Sequence, residues 1–399
     1  MAVTEKKPDH PARIKLANPG LLTWARETAG YQLSDIAHSL DKQEEDIAKW
    51  EKGIDYPTYR QLEEFANKVK RPVAAFFRSN IPIEHPIPKD FRTLSGVASG
   101  EYKSETLIAF REARSQLSET RELLGALDLE LVFSLPAFEL ASDPEKEAGE
   151  LREKVGISMK EQRKCSESEA FDIWRDAFFD FGVVSMVFSM PMRDARAFCL
   201  IDEDNELAAV GLNSNELGFG RVFSLIHEVA HLCLREPGVS GESDKRVAKT
   251  DKDHVERFCN RFAANLLLPA DDSEVEIQMH WLRGHHSRAD FEDVAKKIKV
   301  SKQVVLRRAL DLEYISWNFY NETYRAWNAV DSKLKKQSAG GGGIFPILSR
   351  IGRRFAGLVF DALDSGKISI YDASKLLSLD QSHFPEARTH ILRRALRAR

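Results

Sequence analysis

Three polar side chains stand inside an apolar stretch at residues 222–235, VFSLIHEVAHLCLR. Phe223, Leu225, Ile226, Val229, Leu232 and Cys233 surround them in a dense run that suits a buried helix. His227 and His231 are four residues apart, so on a helix their imidazoles share one face, one turn above the other. Neutral imidazole nitrogens about 2.0–2.1 Å from a zinc ion then fill two corners of a tetrahedron. Glu228 sits at the edge of that face, placed to take a proton from a water beside the metal. With 11 His in the chain, the same pattern can also arise by accident on a surface helix. The apolar surroundings argue against accident: three polar groups buried without partners are costly, and a metal supplies the partner.

A zinc site of this kind needs a third protein ligand and an open position for water. A further His six residues beyond His231 is absent, because Pro237 stands there. The next source is HVERFCNRFAANLLLP, residues 254–269. In it Val255, Phe258, Cys259, Phe262, Ala263, Leu266 and Leu267 recur at helical spacing, and Pro269 stops the helix. Glu256 flanks the apolar stripe, with Asn260 one turn later on the same side as a holder of that carboxylate. Asp253 and His254 are rivals for the third position, and a solvated first-turn Glu256 is the plain alternative.

The run FSLIHEVAHL followed by ERFCNRFAANLLLP resembles the ImmA/IrrE family of metallo-endopeptidases. That family shows F-x-x-x-H-E-x-x-H and then E-x-x-A-N-x-F-A-x-x-L-L-M-P. Glu256, Asn260, Phe262, Ala263, Leu266, Leu267 and Pro269 match, while Cys259 replaces the Ala and Leu268 the Met, both apolar changes. The resemblance covers roughly residues 180–320. It implies that His227, His231 and Glu256 bind Zn2+, that Glu228 is the general base, and that the domain is a zincin-like, gluzincin-type endopeptidase. It also implies an extended substrate held against a sheet edge, for which the strand at Leu207–Leu212 is the expected site. An oxyanion donor is expected among His280, His285, His286, Tyr314 and Tyr320, and the sequence does not choose.

A second chemistry lies at residues 33–53, LSDIAHSLDKQEEDIAKWEKG. Ser34 is the expected cap of a helix with Ile36, Ala37 and Leu40 inside; a turn at Asp41-Lys42 precedes a helix that buries Ile47 and Trp50 and ends at Gly53. With YPTYRQLEEFANKVKRPVAAFF after it, the stretch resembles Xre/Cro helix-turn-helix domains. Gln43 would then read adenine, and Lys42, Lys49 and Lys52 would meet phosphates. Five acids, Asp35, Glu44, Glu45, Asp46 and Glu51, against three Lys leave a net −2 here, which opposes phosphate. A protein-binding bundle is therefore the alternative, and a homodimer or partner that masks the acids would restore DNA binding. FEDVAKKIKVSKQVVLRRALDLEYI at 291–315 repeats the turn chemistry with Ser301 as cap, and is read as part of the peptidase-like domain, gripping the substrate protein.

The wider chain must position these two centres. Its 399 residues suggest several compact units, and 58 Lys and Arg against 62 Asp and Glu (net −4) exclude a wholesale nucleic-acid coat. Four Cys at 165, 199, 233 and 259 form no CxxC pair, so neither a disulfide framework nor a cysteine zinc site is expected. The first residues carry no apolar leader run, and a cytoplasmic protein without membrane contact is expected. The fold expected is mainly α with a small β-sheet (α+β), with these parts: a flexible arm at 1–18, a five-helix Xre-like bundle at 19–80, and a Pro-rich linker at 81–103. A helical connecting region at 104–180 and the peptidase domain at 181–325 follow, then the glycine joint at 338–343 and a basic helical domain at 344–399. Within the peptidase, Val183–Met190 is a strand, and Ala197–Ile201 with Leu207–Leu212 is a hairpin.

By resemblance the protein substrate is an Xre-type transcriptional repressor, cut to release stress, phage or mobile-element genes, with double-stranded DNA as a further partner. The alternative from a different class is a regulator or antitoxin whose peptidase-like domain senses without cutting. An intact Glu228 favours cutting, because a sensor has no use for the base.

Overall fold

The computed structural model describes residues 12–83, 102–202, 204, 206–216, 218–236, 239–240, 251–335 and 344–397. Most of the expected arm and linker, Glu203 and Asn205 of the hairpin turn, the glycine joint and Arg399 lie outside the described residues. The chain is mainly α with a small sheet, and no helix among the described residues is long and apolar enough to cross a membrane. It divides into two compact units: the described residues before Ile87 with Tyr102–Ile108, and those from Ala109 onward.

The first unit holds α1 (Pro19–Thr28), α2 (Leu33–Ser39), α3 (Glu44–Glu51) and α4 (Tyr59–Lys68). Its fifth helical element is a single 3-10 turn at Val73–Phe77. Leu21, Leu22, Ile36, Ile47, Trp50, Leu62, Phe65 and Phe76 form its core. Asn18 accepts from the Gly20 amide with Pro19 at the first helical position, and Thr58 with Gln61 closes a capping box on α4. The expected Ser34 cap is corrected: α2 begins at Leu33 with Gln32 as its N-cap. The Asp35 carboxylate accepts from the Gln32 amide at 2.8 Å, which starts the helix early enough to leave Ser34 inside its first turn. Arg26 donates twice to Glu51, at 2.7 and 3.0 Å, pinning α3 to α1 from beneath.

The second unit begins within α5 (Ser104–Ala126) and continues through α6 (Pro144–Val155), α7 (Met159–Gln162) and α8 (Glu167–Phe179). Next come β1 (Val183–Phe188), β2 (Ala197–Ile201), β3 (Ala208–Asn213), α9 (Phe219–Cys233) and β4 (Val239–Ser240). Helices α10 (Asp251–Leu267), α11 (Ser273–Trp281), α12 (Arg288–Ile298), α13 (Lys302–Asp311) and α14 (Trp317–Lys335) complete the core.

The sheet runs β1-β3-β2-β4, with β1 parallel and β2 antiparallel to β3. Every residue of β1 and β3 is buried, as expected of strands covered on both faces. Gly211 lies opposite Phe198 on β2, and a Cβ there would meet the Phe198 ring at 2.1 Å. The missing side chain lets that ring cross the sheet and meet Phe110 of α5 edge-on, with centroids 4.7 Å apart. This arrangement overturns one expectation. The strand carrying Leu212 is central, with both backbone edges already hydrogen-bonded, and so cannot take a substrate strand.

The C-terminal helices α15 (Ile344–Ile351), α16 (Arg353–Asp364), α17 (Ile370–Leu377) and α18 (Phe384–Arg397) belong to this same unit. They meet the core through β1 and α8. Arg175, almost wholly buried, donates to the carbonyls of Ser349 at 2.7 Å, Arg350 at 3.1 Å, and Ser185. Gly352 has φ of +86°, and a Cβ on it would lie 2.6 Å from the Arg175 guanidinium, so the close approach and the left-handed turn both call for glycine. Arg353 pairs with Asp176 and Arg354 with Asp180, which places two of the tail's cations in internal ion pairs.

Candidate metal centre

Helices α9 and α10 pack against each other, and their contact face holds the polar residues singled out in the sequence. His227 and His231 share one face of α9, with ring centroids 4.9 Å apart. Their Nε2 atoms lie 3.2 Å from each other. From α10, Glu256 brings one carboxylate oxygen to 3.4 Å from His227 Nε2 and the other to 3.4 Å from His231 Nε2. One ligand atom from each of the three residues falls within 4.8 Å of the others, and all three side chains are buried.

These distances test whether a metal fits. Donors about 2.0–2.1 Å from an ion at tetrahedral corners lie about 3.3–3.4 Å apart. The Nε2–Nε2 separation of 3.2 Å is close to that edge length, and each imidazole has a Glu256 oxygen at 3.4 Å, a different oxygen for each. The donor set, two imidazoles and a carboxylate, is one that catalytic zinc accepts with a corner left open. Asp253 and His254, the rival third ligands, are not part of this group; His254 is exposed at the surface of α10.

Glu228 is fully buried, and neither carboxylate oxygen has a hydrogen-bond partner. A buried carboxylate without partners is rare because it forfeits its hydration for nothing, so the position marks a group held ready for something that enters. Electrostatics within the cluster point the same way. Burial opposes charge on Glu256, yet the His227 and His231 imidazoles at 3.4 Å hold its carboxyl well below the usual carboxylate range. Burial likewise opposes charge on His231, while Cys259 and Glu256 hold its pKa well above that of an ordinary imidazole.

The supports of α10 were not visible as such in the sequence. The last carbonyls of a helix lack partners, and a buried end must find them elsewhere. Arg152 of α6 donates to the Leu266 carbonyl. Gln162 donates to the carbonyls of Leu267 at 3.0 Å and Ile298 at 3.2 Å, and accepts from Arg152 at 3.1 Å. Asn260 is half-buried, and among the described residues no hydrogen bond joins it to Glu256. Cys259, fully buried, takes the inner position instead. Its spacing of three from Glu256 was the available signal, hidden because a Cys in an apolar stripe reads as packing.

The other expected residues lie apart from this cluster. Tyr314 sits under the Arg283 guanidinium, His285 stacks on Trp281 and His286 tilts against Phe319. Tyr320 is buried between Trp317 and Tyr324, and His280 is exposed on α11. Ser301 caps α13 as expected, and that helix is largely buried, with Arg307 paired to Asp311 and Arg308 to Glu145, both at 3.0 Å. In the first unit, Gln43 is the exposed N-cap of α3, Lys42 is half-buried, and exposed Lys49 lies 3.9 Å from Asp46.

Residues 180–310 match the Peptidase_M78 family model, described as the IrrE N-terminal-like domain. The match spans both metal-site helices and supports a metallopeptidase-type function for this part of the chain. No curated protein matches the chain.

Proposed function

We propose that this protein is a zinc-dependent endopeptidase in which His227, His231 and Glu256 hold the ion and Glu228 is the general base. The observation that carries the reading is the convergence of three buried donor side chains, one ligand atom from each within 4.8 Å of the others, beside a buried carboxylate with no partner. Zinc held by these residues would polarise a scissile carbonyl and bring the pKa of water towards neutrality. Glu228 then takes the proton of the attacking water and passes it to the leaving amine, so one side chain serves as base and then as acid. Its burial keeps that proton from bulk water, and Val229, Ala230 and Leu232 around it keep the helix dry.

The substrate we assign is an Xre-type repressor, cut in the cytosol to release the genes it holds silent. The first unit is read as an Xre-like helix-turn-helix that brings the peptidase to DNA through Lys42, Gln43 and Lys49, against the repulsion of Glu44, Glu45 and Asp46.

The test is Glu228→Gln in the full chain, co-expressed with each Xre-type repressor. The amide removes the base, keeps the shape and leaves the three ligands in place. Zinc content is expected to stay at one per chain, while the repressor fragment falls by about 10²–10⁴-fold. Full regulatory output and unchanged cutting in this variant would leave the domain a non-cleaving sensor.

A further inference from the structure

Residues three or four apart share a side of a helix, so Gly220, Phe223, His227 and His231 line up along α9. Burial changes along that line. His231 is 1% exposed and His227 5%, whereas Phe223 and Gly220 are half-buried. From Ser224 to Cys233 every residue of α9 is buried. Leu234, also half-buried and on this side, lies beyond the deeply buried His231. The solvated part of the line nearest His227 is therefore the turn before it, where Phe223 stands.

The Phe223 ring lies 6.2 Å from the His227 imidazole, centroid to centroid, and is tilted by 40° against it. Helical side chains lean towards the N-terminus, so this ring covers the turn at Phe219 and Gly220. Gly220 has no side chain to lay across the ring. Among the described residues, a Cβ there would meet only a Glu216 oxygen, at 3.2 Å, and that carboxylate accepts from Arg196 at 2.9 Å. The part of the ring that the core leaves uncovered is thus apolar surface within reach of the metal ligands.

We propose that Phe223 is a specificity-determining residue, its open ring receiving a large apolar side chain of the peptide beside the scissile bond. The inference rests on the metal-ligand reading of His227, His231 and Glu256. It deepens that reading by naming the substrate class: peptide bonds flanked by an aromatic or branched aliphatic residue.

The experiment titrates the zinc-loaded full chain with hydroxamates, whose two oxygens take the metal, and follows binding by calorimetry. Acetohydroxamate carries the bare metal-binding group, and 3-phenylpropionohydroxamate adds an apolar arm. The unsubstituted protein is expected to bind the second compound about tenfold more tightly, part of what burying a phenyl ring supplies. In Phe223→Ala that preference is expected to fall to about twofold, with zinc content and acetohydroxamate affinity unchanged. Phe223→Leu is expected to keep most of it. An unsubstituted protein without the preference, or Phe223→Ala with all of it, overturns the role of Phe223 and leaves the metal site intact. Should Phe223→Ala fail to fold or lose its zinc, a benzophenone-bearing hydroxamate photolysed on the unsubstituted protein decides. An adduct within residues 219–223 is expected, and an adduct elsewhere, or none, overturns the proposal. An unsubstituted chain that takes up no metal overturns the metallopeptidase reading and this inference with it.

Discussion

The α9–α10 face and the start of α3 both gather charged side chains, but they solve opposite problems. On α3, Glu44 and Glu45 are exposed, solvated and favoured by the positive end of their own helix, which is reason enough for acids to be there. On α9, Glu228 is removed from water and bonded to nothing, and folding alone gives no reason for it. A charge with a structural reason says little about function, whereas a buried charge without one says a good deal. The same contrast separates Arg175, also buried, whose guanidinium is used up on three backbone carbonyls.

The largest effect that would break this contrast comes from the ligands. Replacing Glu256 with Ala removes one of three donors and leaves two imidazoles facing a gap. Bound zinc, measured by elemental analysis after gel filtration, is expected to fall from one per chain to near zero, and proteolysis with it. A Glu256→Ala protein that keeps stoichiometric zinc would return Asp253 or His254 to the site.

A second, smaller effect tests whether the buried cations are structural, as their bonding says. Arg152→Met preserves the apolar stem over Trp174 but leaves the Leu266 carbonyl and part of Gln162 without partners. Burial pushes the Arg152 pKa down to about 10, so the group it replaces is still charged at neutral pH. The expected loss is about 2–4 kcal/mol of stability in urea unfolding, with zinc-to-protein stoichiometry retained in the folded fraction. Loss of zinc without loss of stability would move Arg152 into the site.

How much of this was legible follows from the range of each interaction. The paired imidazoles, Glu228 and the downstream Glu256 were readable because helical spacing alone puts His227 over His231 and sets the α10 stripe. The cap at Ser301 was readable for the same reason, acting within a few residues. Strand order was not, because each β1 residue pairs with one 25 positions further along, on β3, and nothing local says that β3 will be central. The Arg175 clamp on Ser349 and the Arg152 bond to Leu266 join elements distant in sequence. An arginine in a helical pattern carries no sign of such a partner.

The smallest effect sharpens the α3 side of the comparison. Glu44→Gln with Glu45→Gln removes two exposed negative charges at the end of the helix expected to face the groove, and touches no buried contact. The unfolding midpoint is expected to stay where it is, as for most surface changes. If α3 meets DNA, losing two repulsions should tighten binding roughly fivefold at low salt, less so at high salt. Fluorescence anisotropy on a duplex, read across a salt series, measures both. An unchanged, salt-independent signal would mean that no phosphate approaches this surface. The acids would then be read as the contact face for a basic protein, and helix-turn-helix shape would have outlived DNA reading.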